Sequence, residues 1–352
     1  MTFPRVADDL LDLRSIRMQF DLNFIGDTKL STYLDSATVQ AIFNRVRVVS
    51  GSTVIADIVE NGLLCNVQSL MHRSASDNPY TLYLAGREAQ PVFEAKRTYV
   101  TEIGPRGAIL NCDGLLPLSR MSDLHIDITL EAANRCLRNV NAEVVSYTIS
   151  NVQLQCDYIR SASVSQYFNA NPLSFHVTDY TSRLSVFNSQ IAMARFSTNH
   201  TSLNAIITVM RNQARLADTV AFGKFSEYVS GADIESYNCF MNSTMLFDQA
   251  ITSNAESFSL LKKAFPSVQH ASWYDNYYQY WKFLIVMPLQ AAPASFAKSI
   301  QSGVNTTAIN TDTVLQVNFK AVPATTTRAD SFLIADSMIY LENNRGDLRV
   351  RY

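Results

Sequence analysis

The sequence predicts an all-β chain of two antiparallel sandwiches with short helical connections. Three observations carry this. Short runs alternate apolar and polar residues: in Met18–Phe24, Met18, Phe20, Leu22 and Phe24 stand against Gln19, Asp21 and Asn23, which is the pattern of a half-buried strand. One ending occurs twice. Leu124–Leu130 and Val144–Ile159 flank a polar-rich break at Asn139–Asn141, and Val314–Phe319 and Phe332–Leu341 flank a polar connection with Pro323 and three threonines, Thr325 to Thr327. Each reads as strand, loop, strand, and as the closing strand pair of a module. Finally, helical patterns are few and short, with no βαβ rhythm.

Composition bounds the function classes. A chain of 352 residues can hold two domains, and at 47% hydrophobic it is set for a packed core rather than disorder. Charged residues make up 17%, below the roughly 25% usual for globular domains. Asn, Ser and Thr fill much of the polar surface, which suits neutral subunit contacts. Net charge is −2 with no polybasic block, so electrostatic wrapping of nucleic acid is not expected. Cys65, Cys112, Cys136, Cys156 and Cys239 form no C-x-x-C pair. Their odd number and wide spacing point to small buried hydrophobes rather than a zinc site or disulfide framework. The first twenty residues lack a cationic segment followed by an apolar core, so no signal peptide is read there. The longest apolar run, Phe283–Leu289, is of strand length, well short of the ~20 residues a spanning helix needs.

The elements follow in order. Val6–Ile16, with Val6, Leu10, Leu13 and Ile16 apolar, fits a short amphipathic helix. It would pack on its own domain or serve as an arm docking on a neighbour. Met18–Phe24 and Ala41–Val49 are strands, the second broken by Ser50-Gly51. Thr53–Met71 reads as helical, interrupted at Asn61-Gly62, and Arg73–Pro79 as a polar loop. Pro91–Ile103 is a strand, Gly104–Gly107 (GPRG) a turn, and Ala108–Cys112 a short strand. In Leu124–Leu130, Leu124, Ile126, Ile128 and Leu130 share one face. The Ser/Asn-rich Ser161–Pro172 is the domain boundary, giving modules 1–165 and 166–352. Strands follow at Phe175–Phe187, Gln190–Phe196 and Ser202–Met210. Asn212–Ala255 is the least regular stretch and reads as an insertion. Ala255–Phe265 is a short helix, Trp273–Trp281 (WYDNYYQYW) an aromatic cluster, and Phe283–Leu289 a strand.

A search for chemistry finds little that converges. His72, His125, His176, His200 and His270 are scattered, without H-x-x-x-H spacing, and no G-x-S-x-G elbow or phosphate-binding loop occurs. His125 alternates with apolar neighbours and suits a solvated or interface position. Asp233 and Glu235, two residues apart, are the one carboxylate pair a glycosidase reading could use. Trp273, Tyr274, Tyr277, Tyr278, Tyr280 and Trp281 could stack sugars or bases, but only Lys282 follows them. A packing layer or subunit contact is the better reading. The three N-x-[ST] matches, beginning at Asn199, Asn242 and Asn305, are read as incidental.

Three stretches carry a family resemblance. They are Phe43–Leu64 (FNRVRVVSGSTVIADIVENGLL), Leu116–Leu137 leading to Tyr147–Ile159, and Thr201–Arg211 with Ser295–Thr306 and Phe332–Asn344. Their hydrophobic pattern and spacing resemble the double jelly-roll major capsid proteins of the adenovirus and tectivirus lineage, which includes virophage, Polinton-like and tailless phage capsids. The resemblance implies two tandem eight-stranded jelly rolls in each subunit. It implies a homotrimer with the outline of a pseudo-hexameric capsomer, tiling an icosahedral shell of the virion. Partners would be the chain itself, other capsomers, and penton or minor capsid proteins, with an internal membrane allowed beneath the shell. No catalytic residue, cofactor, metal or sequence-specific nucleic-acid contact is implied. The work would be done by buried interface area. Candidate assembly contacts are Val6, Leu10 and Leu13 on the N-terminal segment, Trp273, Tyr277 and Trp281 in the aromatic cluster, and Arg345, Arg349 and Arg351 in a tail expected to run past the last strand. The competing readings are a minor or spike-type sandwich that binds a receptor or glycan, and a glycosidase using Asp233 and Glu235.

Overall fold

The computed structural model describes residues 1–4, 9–26, 32–34, 39–71, 96–139, 141, 144–218, 225, 228–265, 283–290, 303–307, 311–341 and 346–351. Eleven strands come from the first half of the chain: β1 (Asp9–Asp12), β2 (Arg17–Ile25), β3 (Thr32–Leu34), β4 (Phe43–Ser50), β5 (Thr53–Val59), β6 (Lys96–Thr101), β7 (Leu115–Leu116), β8 (Leu124–Leu130), β9 (Leu137–Asn139), β10 (Ser146–Gln155) and β11 (Tyr158–Arg160). Nine come from the second: β12 (Ser174–Phe187), β13 (Ile191–Thr198), β14 (Leu203–Asn212), β15 (Ile234–Met241), β16 (Thr244–Met245), β17 (Leu284–Pro288), β18 (Thr311–Phe319), β19 (Thr327–Leu341) and β20 (Leu348–Arg351).

The pairing is nested. In the second half β12 pairs with β19, β13 with β18, β14 with β17, and β15 with β16, all antiparallel. A ribbon of four such pairs, rolled up, brings β14 against β19 and β15 against β18. The result is one sheet ordered β12-β19-β14-β17 and another ordered β13-β18-β15-β16. This is the jelly-roll topology, which removes most free edges by wrapping the chain on itself. The first half repeats the nesting: β1 pairs with β11, β2 with β10, β3 with β9 and β4 with β8. Among the described residues, each half forms strand ladders only within itself.

Several predicted strands are present with nearly the predicted ends, among them β2, β8, β12 and β17. The two strands of each predicted closing pair, however, lie in different sheets. β8 belongs with β4 and β5 while β10 belongs with β2 and β6, and β18 and β19 are separated in the same way. Rolling the ribbon, not a local hairpin, chooses their partners. Of the helix expected at Val6–Ile16, the described part, 9–16, is β1 followed by a 3₁₀ turn, Leu13–Ser15, because β7 and β11 offer this segment two edges to bridge. The helix expected from Thr53 begins at Asn61. Thr53–Val59 is β5, turned back onto β4 by Gly51 at φ +57° and held by two hydrogen bonds from Arg45 to Asp57. Asn61-Gly62 opens the helix instead of interrupting it. A Cβ at Gly62 would stand 2.8 Å from the Ala41 carbonyl oxygen, so only glycine permits that approach.

Other local departures have equally local causes. Ala108–Cys112 contains a 3₁₀ turn rather than a strand, since Asn111 Nδ2 donates to the carbonyls of Ile103, Gly104 and Pro105 and folds the segment back. The boundary segment carries a helix, Ala162–Ala170. The presumed insertion Asn212–Ala255 contains β15 and β16, and β15 is largely buried, without the period-2 alternation that marks a strand in sequence. The helix predicted at Ala255–Phe265 is present at Asn254–Ala264. There Ser253 accepts from the Glu256 N–H and Glu256 accepts from the Ser253 N–H, a reciprocal cap. One continuous cluster of buried apolar side chains runs through both halves. Among the described residues no helix is long and apolar enough to cross a membrane.

Candidate functional site

The two modules meet along a seam that leaves their other faces open. By register, Tyr180 and Ser182 on β12, Arg328, Asp330 and Phe332 on β19, and Ile207 and Arg211 on β14 share one face of their sheet. Much of that face meets the first module. Tyr180 Oη donates to the Arg106 carbonyl at 2.6 Å and accepts from Gln68 Nε2 at 2.8 Å. Ser182 Oγ donates to the Val59 carbonyl at 2.6 Å. The Thr178 N–H donates to the Gly107 carbonyl, and Asn66 Nδ2 donates to Tyr228 Oη and the Phe225 carbonyl. Arg120 donates to the Phe168 carbonyl at the foot of the seam.

At the centre of the seam six charged side chains alternate in sign. Glu131 accepts from Arg135 at 3.2 Å and Arg135 reaches Glu60 at 3.0 Å. Glu60 also faces Arg328 and, at 3.4 Å, Arg211. Asp330 closes the set, accepting from Arg211 Nη2 at 2.6 Å and from Arg328 Nε at 2.8 Å. Arg211 is 1% exposed, so its charge depends on these partners. Burial pushes the Glu60 carboxyl up, but Arg211, Arg135 and Arg328 outweigh burial and hold it below its ordinary value.

A second attachment comes from the end of the chain. The Ser122 N–H donates to the Gly346 carbonyl, and the Leu348 N–H donates to Ser50 Oγ. The Asp347 carboxylate accepts from the Ser52 N–H and from the hydroxyls of Ser52 and Thr53. Hydrogen bonds led by that from Ser122 keep its carboxyl below the usual range. The tail therefore does not run free past the last strand: 346–348 docks on the first module and Leu348–Arg351 is β20, paired with β19.

The jelly roll brings several strand ends together. The end of β12 pairs with the start of β19, the end of β14 pairs with the same residue of β19, and the start of β15 pairs with the end of β18. The described strand ends that flank 188–190, 213–233 and 320–326 therefore lie at one end of the second module. Leu184, Val186, Ile191, Met193 and Val322, each more than half exposed, sit at that end. On the far side the modules leave a cleft of about 440 Å³ lined by Asp12, Arg14, Asp113, Phe168, Leu173 and Phe175.

The predicted contacts are distributed unevenly over this frame. Leu10 and Leu13 are buried in their own module, at 2% and 0% exposure. Arg349 and Arg351 are exposed on β20. Val6, Trp273, Tyr277, Trp281 and Arg345 lie outside the described residues. Asp233 ends a 3₁₀ turn and Glu235 follows on β15. Both are exposed, and they do not share a strand face. Among the described residues no group of three His, Cys, Asp or Glu side chains is placed to hold a metal. Cys65, Cys112, Cys136 and Cys239 are buried thiols, with Cys156 half-buried, and burial pushes the Cys112 and Cys239 thiols up to about 12. The sequence reading missed Glu60, Arg211, Arg328 and Asp330. The available signal was a charged residue closing an apolar run, as Arg211 closes AIITVM, but its partner Glu60 lies 151 residues away.

No family model and no curated protein matches the chain. Solved structures do. The quasi-atomic model of the PBCV-1 virus capsid superposes with a TM-score of 0.71 at 11% identity, covering 100% of this chain and 91% of that one. A chain of the Sputnik virophage cryo-EM structure gives 0.61 at 11% identity, covering 100% and 84%. The Faustovirus major capsid protein gives 0.63 at 7% identity, covering 97% and 87%. The chain has the double jelly-roll fold, with both barrels present.

Proposed function

We propose that this chain is a structural major capsid protein of the virion, whose copies trimerise into pseudo-hexameric capsomers that tile an icosahedral shell. The observation that carries the reading is that two jelly rolls, fixed side by side, account for nearly all the described strands, and that 97–100% of the chain is covered by the match to viral capsid structures. The division at 165/166 belongs to the same proposal and is supported by strand ladders that stay within 9–160 and within 174–351. Self-association uses faces the seam leaves open, and other capsid components are its further partners. Exposed Asp233 and Glu235 play no catalytic part. Native mass spectrometry should find trimers, and negative-stain images should show a pseudo-sixfold outline or closed shells. A stable monomer at high concentration that assembles under no condition would overturn the proposal.

Arg349 and Arg351 are proposed as assembly contacts. Deleting 347–352 would also remove the docking of Asp347 and Leu348, so the cleaner variant is Arg349→Ser with Arg351→Ser. It should lower particle yield while leaving the unfolding midpoint of the subunit unchanged. Normal particle yield would remove these two residues from the contact set.

A further inference from the structure

Beside the bonds from Gln68, Arg106, Gly107 and Asn66, the seam grips one strand of the first module, β5, at both of its ends. At its start, Ser52 and Thr53 bind Asp347, and Ser50 binds the Leu348 N–H. At its end, Val59 accepts from Ser182, and Glu60 enters the six-residue charge network. The ends of a seven-residue strand stand roughly 20 Å apart. One attachment would act as a pivot, whereas two at that separation remove rotation between the modules.

The charges add a second constraint. The first module contributes Glu60, Glu131 and Arg135, a net −1, and the second contributes Arg211, Arg328 and Asp330, a net +1. Glu60, Asp330 and Arg211 are nearly inaccessible, with side-chain exposures of 9%, 4% and 1%. Parting the modules would give up every cross-seam pair of this balanced set and leave −1 on one opened face and +1 on the other, so the network favours one register of the modules. Arg211 Nη1 and Arg135 Nε already lack an acceptor among the described residues, so the network has no spare acceptor to offer.

We propose that β5 is a two-point lock, clasped by the C-terminal strap at its start and by the charge network at its end, which makes the two jelly rolls fold and open as one unit. The lock does not depend on the capsid reading, since it concerns the subunit alone. It tolerates mild acid. The groups facing Glu60 are Arg135 from the helix Ala133–Cys136, Arg211 from β14 and Arg328 from β19, with Glu131 and Asp330 one position further along. Because the Glu60 pKa in the folded chain lies below its ordinary 4.5, the stability it contributes is full above that value. That contribution is lost as pH falls through the lower, folded value.

Native-state hydrogen exchange in increasing denaturant, on the full chain, tests the lock. At pH 7 the slowest amides of β4 and β5 and those of β14 and β19 should share one opening free energy and one denaturant dependence. Glu60→Gln and Asp347→Ser should each split them, with first-module amides opening at least tenfold more often than second-module ones, and the double variant should split them further. Should Glu60→Gln not fold, the wild-type chain titrated downward from pH 4.5 supplies the same test, with the split appearing only below that value. Two independent openings in the wild type at pH 7 would overturn the lock. So would a single shared opening retained by Asp347→Ser at pH 7 and by the wild type in acid.

Discussion

β13 and β14 are consecutive strands of one jelly roll with opposite surroundings. β13 alternates without exception, with Ile191, Met193, Arg195 and Ser197 exposed and Ala192, Ala194, Phe196 and Thr198 buried. In β14 every residue from Leu203 to Arg211 is buried. One face of each strand packs into the barrel, as the Phe187–Phe319 ring contact between the two sheets illustrates. The difference lies on the outer face. The sheet of β14 lies against the first module, while the sheet of β13 has no such cover over Ile191 and Met193. A strand buried on both faces reads as a near-continuous apolar run, and one buried on a single face reads as an alternation. The contrast between SLNAIITVM and IAMARFST thus reports which side of the barrel meets the other module and which side is left open.

Mutations can break or sharpen this contrast. The largest effect is expected from Arg211→Met on the covered face. It leaves Glu60 and Asp330 short of a buried partner and should cost about 3–5 kcal/mol in urea unfolding. A loss below about 1 kcal/mol would mean that the outer face of β14 is not sealed. Ile207→Ala removes a fully buried side chain and should cost about 2–5 kcal/mol. Calorimetry of the two variants should show both effects in one transition shared by the two modules.

Smaller effects come from the first module's side of the seam and from the free face. Gly51→Ala places a Cβ at φ +57° and 2.1 Å from Asp347 Oδ1. It should cost at least about 1 kcal/mol and weaken the C-terminal strap, visible as faster exchange at Leu348. Met193→Ala on the free face should change subunit stability by less than about 0.5 kcal/mol. Any effect of that substitution should appear in assembly yield instead. A Met193→Ala loss as large as that of Ile207→Ala would erase the distinction between the two sheets.

Legibility followed the same line. Alternating strands such as β2 and β8 were found almost to the residue, because period-2 patterning is a local property. β5 was misread as helix because Ile55, Ile58 and Val59 fit a helical spacing equally well. The deciding feature was the return at Gly51, which gave the strand β4 as a partner. β15 was hidden because IESYNCFM does not alternate. It earns strand geometry from β18 on one side and β16 on the other. Of the seam, the sequence showed charged residues near strand ends but none of their pairings.

By itself, the sequence determined the all-β class, the two-module repeat and the positions of most strands, since these rest on short-range periodicity and turn chemistry. Only the tertiary structure decided which strands are neighbours and which charges meet. Closing strands such as β18 and β19 sit in different sheets because the whole ribbon is rolled. Glu60, Arg211 and Arg328 become one network because the wrapped barrels bring residues up to 268 positions apart into contact. Such contacts carry no local signature, because each residue alone is only a charge at the end of a strand.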